Sequence, residues 1–129
     1  PFPDGCGALY SAPKVTIDRE YRAFVHRGRM TAMSKQDWWA AAPSPASTTV
    51  AADASAILSA FDAGALREAD LPESYVVDVG IVGGAPYWIE ANPFGGSYTS
   101  GLSLFHWERD DAVLCGTGDV VQCRFTALA

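Results

Sequence analysis

The apolar positions change period along the chain, and the changes mark its elements. Lys14-Val15-Thr16-Ile17-Asp18 alternates and predicts a short strand. Residues 21–26 and 29–35 are two further β-forming runs on either side of Arg27-Gly28, which predicts a β-hairpin over 21–35 with a tight turn. After residue 49 the period becomes helical. Val50, Ala54, Ile57, Leu58 and Phe61 fall at i, i+4, i+7, i+8 and i+11, the stripe of one helix face. Thr48 or Thr49 stands where an N-cap belongs, and Gly64 where the helix ends. Residues 65–70 add a helical turn before Leu71-Pro72 stops it. Residues 75–82 are strongly β-forming, 83–86 read as a turn, and 87–92 as the return strand. Residues 93–97 read as a loop, 101–107 as a short helix or turn, and 112–127 as one more hairpin or irregular strand pair. Residues 1–13 and 40–49, rich in Pro, Gly, Ala, Ser and Thr, read as irregular. The pattern predicts an α+β fold, a mostly antiparallel sheet with one or two packed helices, in a single domain over 1–129.

The chain has 129 residues, enough for a hydrophobic core without a disulfide or metal staple. Fifteen acidic side chains against nine basic ones give a net charge of −6. That balance argues against tight binding to a phosphate backbone, which draws on Lys and Arg, so nucleic acid is not the expected partner. No apolar run reaches the ~18–20 residues of a membrane span. There is no secretory signal pattern, and the three cysteines, Cys6, Cys115 and Cys123, are odd in number and widely spaced, which favours the cytoplasm over an oxidising compartment. Cys115 and Cys123 flank a turn-like Gly-Thr-Gly-Asp, where they face each other across a hairpin or sit as two small half-buried residues. The two histidines, His26 and His106, are not at zinc-ligand spacing from them.

Chemistry concentrates in the second half. Asp78 lies within an apolar strand, where a carboxylate needs a charge partner or a metal. Folding the hairpin about its Gly-Gly turn sets Asp78 almost opposite Glu90, and Asn92, two residues on, shares Glu90's face. Three hard oxygen donors then converge, a set that suits Mg²⁺ completed by phosphate oxygens. Arg22, which alternates onto one face with Phe24 and His26, offers a bidentate fork for a phosphate, and Lys35 at the end of the same hairpin offers a second cation. The same residues also admit a plain structural reading. Asp78 then bonds to the backbone at a bulge, Glu90 faces solvent, Asn92-Pro93 ends a strand, and Arg22 pairs with Asp18 or Glu20.

Three segments carry a resemblance. Glu20-Tyr21-Arg22-Ala23-Phe24-Val25 followed by Gly28-Arg29, then Val77-Asp78-Val79 with Trp88-Ile89-Glu90-Ala91-Asn92-Pro93-Phe94-Gly95, then Leu104-Phe105-His106-Trp107-Glu108, resemble segments of ATP-grasp proteins. The branch they resemble is the clade related to RNA ligases, which includes uncharacterised bacterial members and the cell-division-cycle chaperones that assemble translation initiation factor two. The resemblance covers roughly residues 14–108. It implies that Asp78, Glu90 and Asn92 are Mg²⁺ ligands, that Arg22 is the catalytic, phosphate-side arginine, and that Lys35 lies near a further cofactor-binding position. It implies ATP and Mg²⁺ as cofactors, and an ATP-dependent ligase of carboxylate–amine or RNA-ligase-like type with an unknown acceptor. The alternative is an ATP-binding assembly chaperone or interaction module without ligase turnover, in which Trp38-Trp39 and Phe94 contribute an apolar contact surface. An ATP-grasp protein also has amino-terminal and central parts that hold much of the nucleotide. This chain matches only the carboxy-terminal part, so a preceding portion or a protein partner is expected to complete the site.

Overall fold

In a computed structural model, the residues described are 7–8, 16–36, 47–95, 103–116 and 120–125. Among them are six strands and two helices: β1 (Gly7–Ala8), β2 (Arg19–His26), β3 (Arg29–Lys35), α1 (Ser47–Asp62), β4 (Tyr75–Val82), β5 (Ala85–Pro93), α2 (Asp111–Leu114) and β6 (Gln122–Arg124). The strands form one sheet in the order β1-β5-β4-β2-β3-β6, antiparallel everywhere except between β3 and β6. The fold is α+β with a mostly antiparallel sheet, as the alternating segments predict. No helix among the described residues is long and apolar enough to cross a membrane.

Several boundaries differ from the sequence reading. Residues 16–18 are not a strand, and the strand begins at Arg19. The segment instead ties down the end of β4: the Asp18 N–H donates to the Ile81 carbonyl at 2.8 Å, and the Asp18 carboxylate accepts from the Gly83 N–H at 3.1 Å. The helix begins at Ser47, so Thr48 and Thr49 lie inside it rather than capping it. Gly7–Ala8, within the stretch read as irregular, adds a short strand beside β5. Residues 112–127 are not a hairpin: 112–114 belong to α2, and β6 joins the sheet parallel to β3. Parallel neighbours are not joined by a tight turn, so local pattern had no means of showing this pairing. Cys115 accordingly lies just past the end of α2 and Cys123 on β6, each a free thiol. Cys6 and Trp38-Trp39 lie outside the described residues.

Both hairpins turn through two left-handed residues, Arg27 (φ 51°) with Gly28 (φ 79°), and Gly83 (φ 57°) with Gly84 (φ 84°). Positive φ at both central positions is what a type I′ connection requires. The second turn is therefore shorter than the four residues 83–86, and Ala85 and Pro86 already pair with Val82 and Ile81. Each hairpin then shifts register by one residue. Thr31 is the extra residue on β3, between the pairs Val25–Met30 and Phe24–Ala32. Ile89 is the extra residue on β5, between Val79–Trp88 and Asp78–Glu90.

The sheet has a different core on each face. On one side α1 covers Tyr21, Ala23, Val25, Met33, Val77, Val79, Ile81, Trp88 and Ala91, with Val50 and Ile57 reaching down from the helix. On the other, Phe105, Trp107, Val113 and Leu114 cover Phe24, Ala32 and Val76. The Phe24 ring meets Phe105 and Trp107 edge-on, with centroids 5.6 and 5.5 Å away. This second layer is tied to β6 by Arg124, which pairs with Asp110 at 2.9 Å and lies 4.1 Å over the Phe105 ring. The hydrogen bonds from Arg124, and then that from the His106 N–H, hold the Asp110 carboxyl below its ordinary range.

Asp53, on the apolar stripe of α1 between Val50 and Ile57, is buried beneath the helix. Its Oδ2 accepts from the Tyr21 hydroxyl at 2.6 Å and from Arg19 Nε at 2.5 Å, and its Oδ1 accepts from Arg19 Nη2 at 3.0 Å. Arg19 and Tyr21 are two apart on β2, so both reach the helix side. Their donors satisfy a carboxylate that would otherwise be costly to bury. Replacing Asp53 by Ala leaves the fully buried Tyr21 hydroxyl unpaired and is expected to lower stability by about 2–4 kcal/mol in urea unfolding, because breaking a buried pair costs more than removing both members.

Burial also sets the alkaline limit. Desolvation pushes the Tyr75 hydroxyl up to about 12 and the Cys123 thiol up to about 11. Tyr21 rises too, first from burial and then from its bond to Asp53. All three keep their protons in the native state at a pH where the unfolded chain, with ordinary values of about 10 for Tyr and about 8.5 for Cys, gives them up. Stability is therefore complete below about pH 8.5 and falls as pH rises beyond it. The urea midpoint should drop between pH 7 and pH 10.5, and by less in Tyr75→Phe.

Candidate functional site

On the face away from α1, the central strands present a polar row. The register places Ser34, Arg22, Asp78 and Glu90 side by side on β3, β2, β4 and β5. Directly opposed residues in antiparallel strands point to the same side, so these four share a face, and Asn92 joins it two residues beyond Glu90. The pairing of Asp78 with Glu90 expected from the hairpin is present, but the turn alone does not produce it. Counting outward from Gly83-Gly84 sets Asp78 opposite Ile89. The extra residue at Ile89 moves Glu90 into that place and turns Ala91 to the helix side, where Trp88 already lies opposite Val79.

Arg22 meets Asp78 rather than Asp18 or Glu20 in its fork. Nε donates to Oδ1 at 2.9 Å and Nη2 to Oδ2 at 3.3 Å, with the side chains 13% and 9% exposed. The carboxylate in the strand core thus has its counter-charge within the protein. Glu90, its other neighbour, is exposed, and Asn92 is half-buried. Asp78 is therefore not left facing a second buried carboxylate, and substituting it with alanine removes an acceptor from Arg22 instead of relieving repulsion.

Lys35 is not brought together with Arg22. Without a bulge it would lie opposite Glu20 and share Arg22's side. The extra residue at Thr31 sets it opposite Tyr21, so its register position is on the helix face, where it is buried. Thr31 itself is drawn out of the ladder: its hydroxyl donates to the Leu114 carbonyl at 2.7 Å.

The row has oxygen donors of the type a hard cation takes. An ionised carboxylate offers about four acceptor sites, and Arg22 occupies two of those on Asp78. Glu90 and Asn92 add exposed and half-exposed oxygens on the adjacent strand. No three His, Cys, Asp or Glu side chains among the described residues converge into a metal-binding group, and the set expected for Mg²⁺ comprises two carboxylates and one amide. A cation held so sparsely takes its other ligands from water or phosphate, as Mg²⁺ does. Beside the row, His26 lies 5.2 Å from the Phe94 ring, and Phe94 packs against Trp107 at 5.0 Å, which makes the adjoining surface aromatic.

No family model matches the sequence, and no curated protein does. Solved structures of similar fold include Cdc123 from Schizosaccharomyces pombe, with a TM-score of 0.68 and 18% identity, covering 91% of this chain and 44% of that one. A C-terminally truncated Cdc123 from the same organism matches with a TM-score of 0.66 and 18% identity, over 91% and 43% of the two chains. The likeness is one of fold, and the chain spans less than half the length of the Cdc123 chains. It agrees with the part of the sequence resemblance that points to the cell-division-cycle chaperones.

The ion pair has a testable signature. Arg22→Met strands a buried carboxylate and should cost about 3 kcal/mol, whereas Arg22→Met with Asp78→Leu should recover most of that loss, since removing both charges is often near neutral. Urea unfolding of the two single variants and the double variant gives the coupling.

Proposed function

We propose that this chain is the carboxy-terminal part of an ATP-grasp-like protein that works by binding a partner, as an assembly chaperone or interaction module, and that Mg–ATP is its organising ligand. The observation that carries this reading is the fold shared with Cdc123 over nine-tenths of the chain. The polar row supports the nucleotide part. In this reading Asp78, Glu90 and Asn92 hold Mg²⁺, which supplies positive charge to bridge and neutralise the phosphates. Arg22, pinned by Asp78, adds its positive charge on the same face of the sheet. Lys35, on the opposite face by register, has no part in it. The preceding half of the longer protein, or a protein partner, supplies the rest of the nucleotide pocket.

Partner binding is favoured over ligation because the fold is shared with Cdc123 and the sequence resemblance points to the branch that includes assembly chaperones. The row's own contribution is to hold charge in place: the Arg22 fork is already oriented by a buried carboxylate before any ligand arrives, which lowers the cost of ordering it on binding.

Calorimetric titration with ATP, with and without Mg²⁺, tests the reading. Binding should require Mg²⁺ and weaken at least about tenfold in Glu90→Gln, a surface change that leaves the Arg22–Asp78 pair intact. A folded chain that binds no Mg–ATP, retested in a longer form that also fails, would sink the nucleotide part. Acceptor-dependent ADP release with a ligated product would replace the chaperone reading with the ligase one.

A further inference from the structure

A separate cavity of about 340 Å³ opens on the helix side of the sheet, where the end of α1 meets the start of β4 and the β2–β3 turn. That volume is at the small end of the range for small-molecule sites. Phe61 and Leu66 form an apolar wall, and Asp62, Arg67 and Tyr75 bring polar groups to it. Two of these groups are unspent. Tyr75 is 6% exposed, yet its hydroxyl has no hydrogen-bond partner among the described residues. A buried tyrosine hydroxyl ordinarily finds one. This one is not sealed off, and the cavity is the open space that Tyr75 lines. Arg67 likewise makes no ion pair among the described residues.

The end of α1 holds Arg67 in place. Gly64, at φ 94°, closes the helix: its N–H donates to the Phe61 carbonyl at 2.9 Å, and the Ala65 N–H donates to the Ala60 carbonyl at 3.0 Å. That is the Schellman pattern, which leaves these helix-end carbonyls satisfied without a ligand. The Arg67 guanidinium lies against the bare Cα of Gly64, so near that a Cβ there would stand 2.6 Å from Cζ. The glycine thus serves both the left-handed turn and the seat of the arginine.

We infer that this cavity is a binding site for a small monocarboxylate with an apolar body, its carboxylate taken by Arg67 and the Tyr75 hydroxyl and its body laid against Phe61 and Leu66. A planar guanidinium and one hydroxyl match the two oxygens of a carboxylate. Asp62 in the same cavity disfavours a doubly charged phosphate, because like charge raises the cost of each added negative charge. The site lies on the opposite side of the sheet from the Arg22–Asp78 row and does not depend on how that row is read.

Titration of the chain with 3-phenylpropionate, set against 3-phenylpropionamide and 2-phenylethyl phosphate, tests the assignment. The carboxylate should bind saturably, and the amide and Arg67→Gln should each cost about tenfold, the worth of a charge-assisted pair. Tyr75→Phe keeps the buried ring and should weaken binding several-fold with urea stability at pH 7 unchanged. Asp62→Asn should narrow the gap between carboxylate and phosphate. No saturable binding to the folded chain, or binding indifferent to both Arg67→Gln and Tyr75→Phe, would overturn it.

Discussion

One inserted residue in each hairpin decides which side of the sheet the following residues occupy. A strand alternates faces with a period of two, so a single extra residue exchanges the faces for all that comes after it. At Ile89 the exchange sends Ala91 to the helix side, where Trp88 already lies opposite Val79, and puts Glu90 beside Asp78. At Thr31 it sends Met33 to the helix side and puts Ser34 beside Arg22. The helix-side core and the polar row are thus set by the same two insertions. Pairing either extra residue into a regular ladder would turn Glu90 or Ser34 to the helix side and Ala91 or Met33 away from it.

Each face of the sheet also carries one buried acid held by an arginine of β2. Asp53 descends from the helix to Arg19 and Tyr21, and Asp78 lies within the sheet against Arg22. Arg19 and Arg22 are three apart, an odd separation, so a single strand serves both faces. The two pairs differ in what surrounds them. Asp53 is closed over by α1 and its donors are all internal, which makes it a fastening between layers. Asp78 has an exposed carboxylate and a half-exposed amide on the adjacent strand, on a face left partly open.

The elements themselves were legible in the residue pattern, since a helical stripe from Val50 to Phe61 and two strand pairs about Arg27-Gly28 and Gly83-Gly84 are local features. The Gly64 helix end was legible for the same reason. So was the opposition of Asp78 and Glu90, though the two-residue turn gives it only with the bulge. Asp53 carries a local signal of its own burial: a carboxylate at i+3 from Val50 and i−4 from Ile57 sits on an apolar stripe and requires a buried partner. Lys35 left none, because nothing near it in the chain announces the insertion at Thr31.

The order of residues along the chain sets periodicity, and with it the α+β class, the hairpins, the helix and the few residues able to carry charge into a core. Which of those charges meet is settled by packing. The pairing of Arg22 with Asp78 spans 56 positions and that of Tyr21 with Asp53 spans 32. The joining of β6 to β3 and the cavity between Tyr75 and Arg67 likewise depend on segments brought together by packing. The physical reason is that local propensity acts within a turn or two of chain, whereas a buried charge or an orphan hydroxyl is satisfied by whatever the packed layers bring to it.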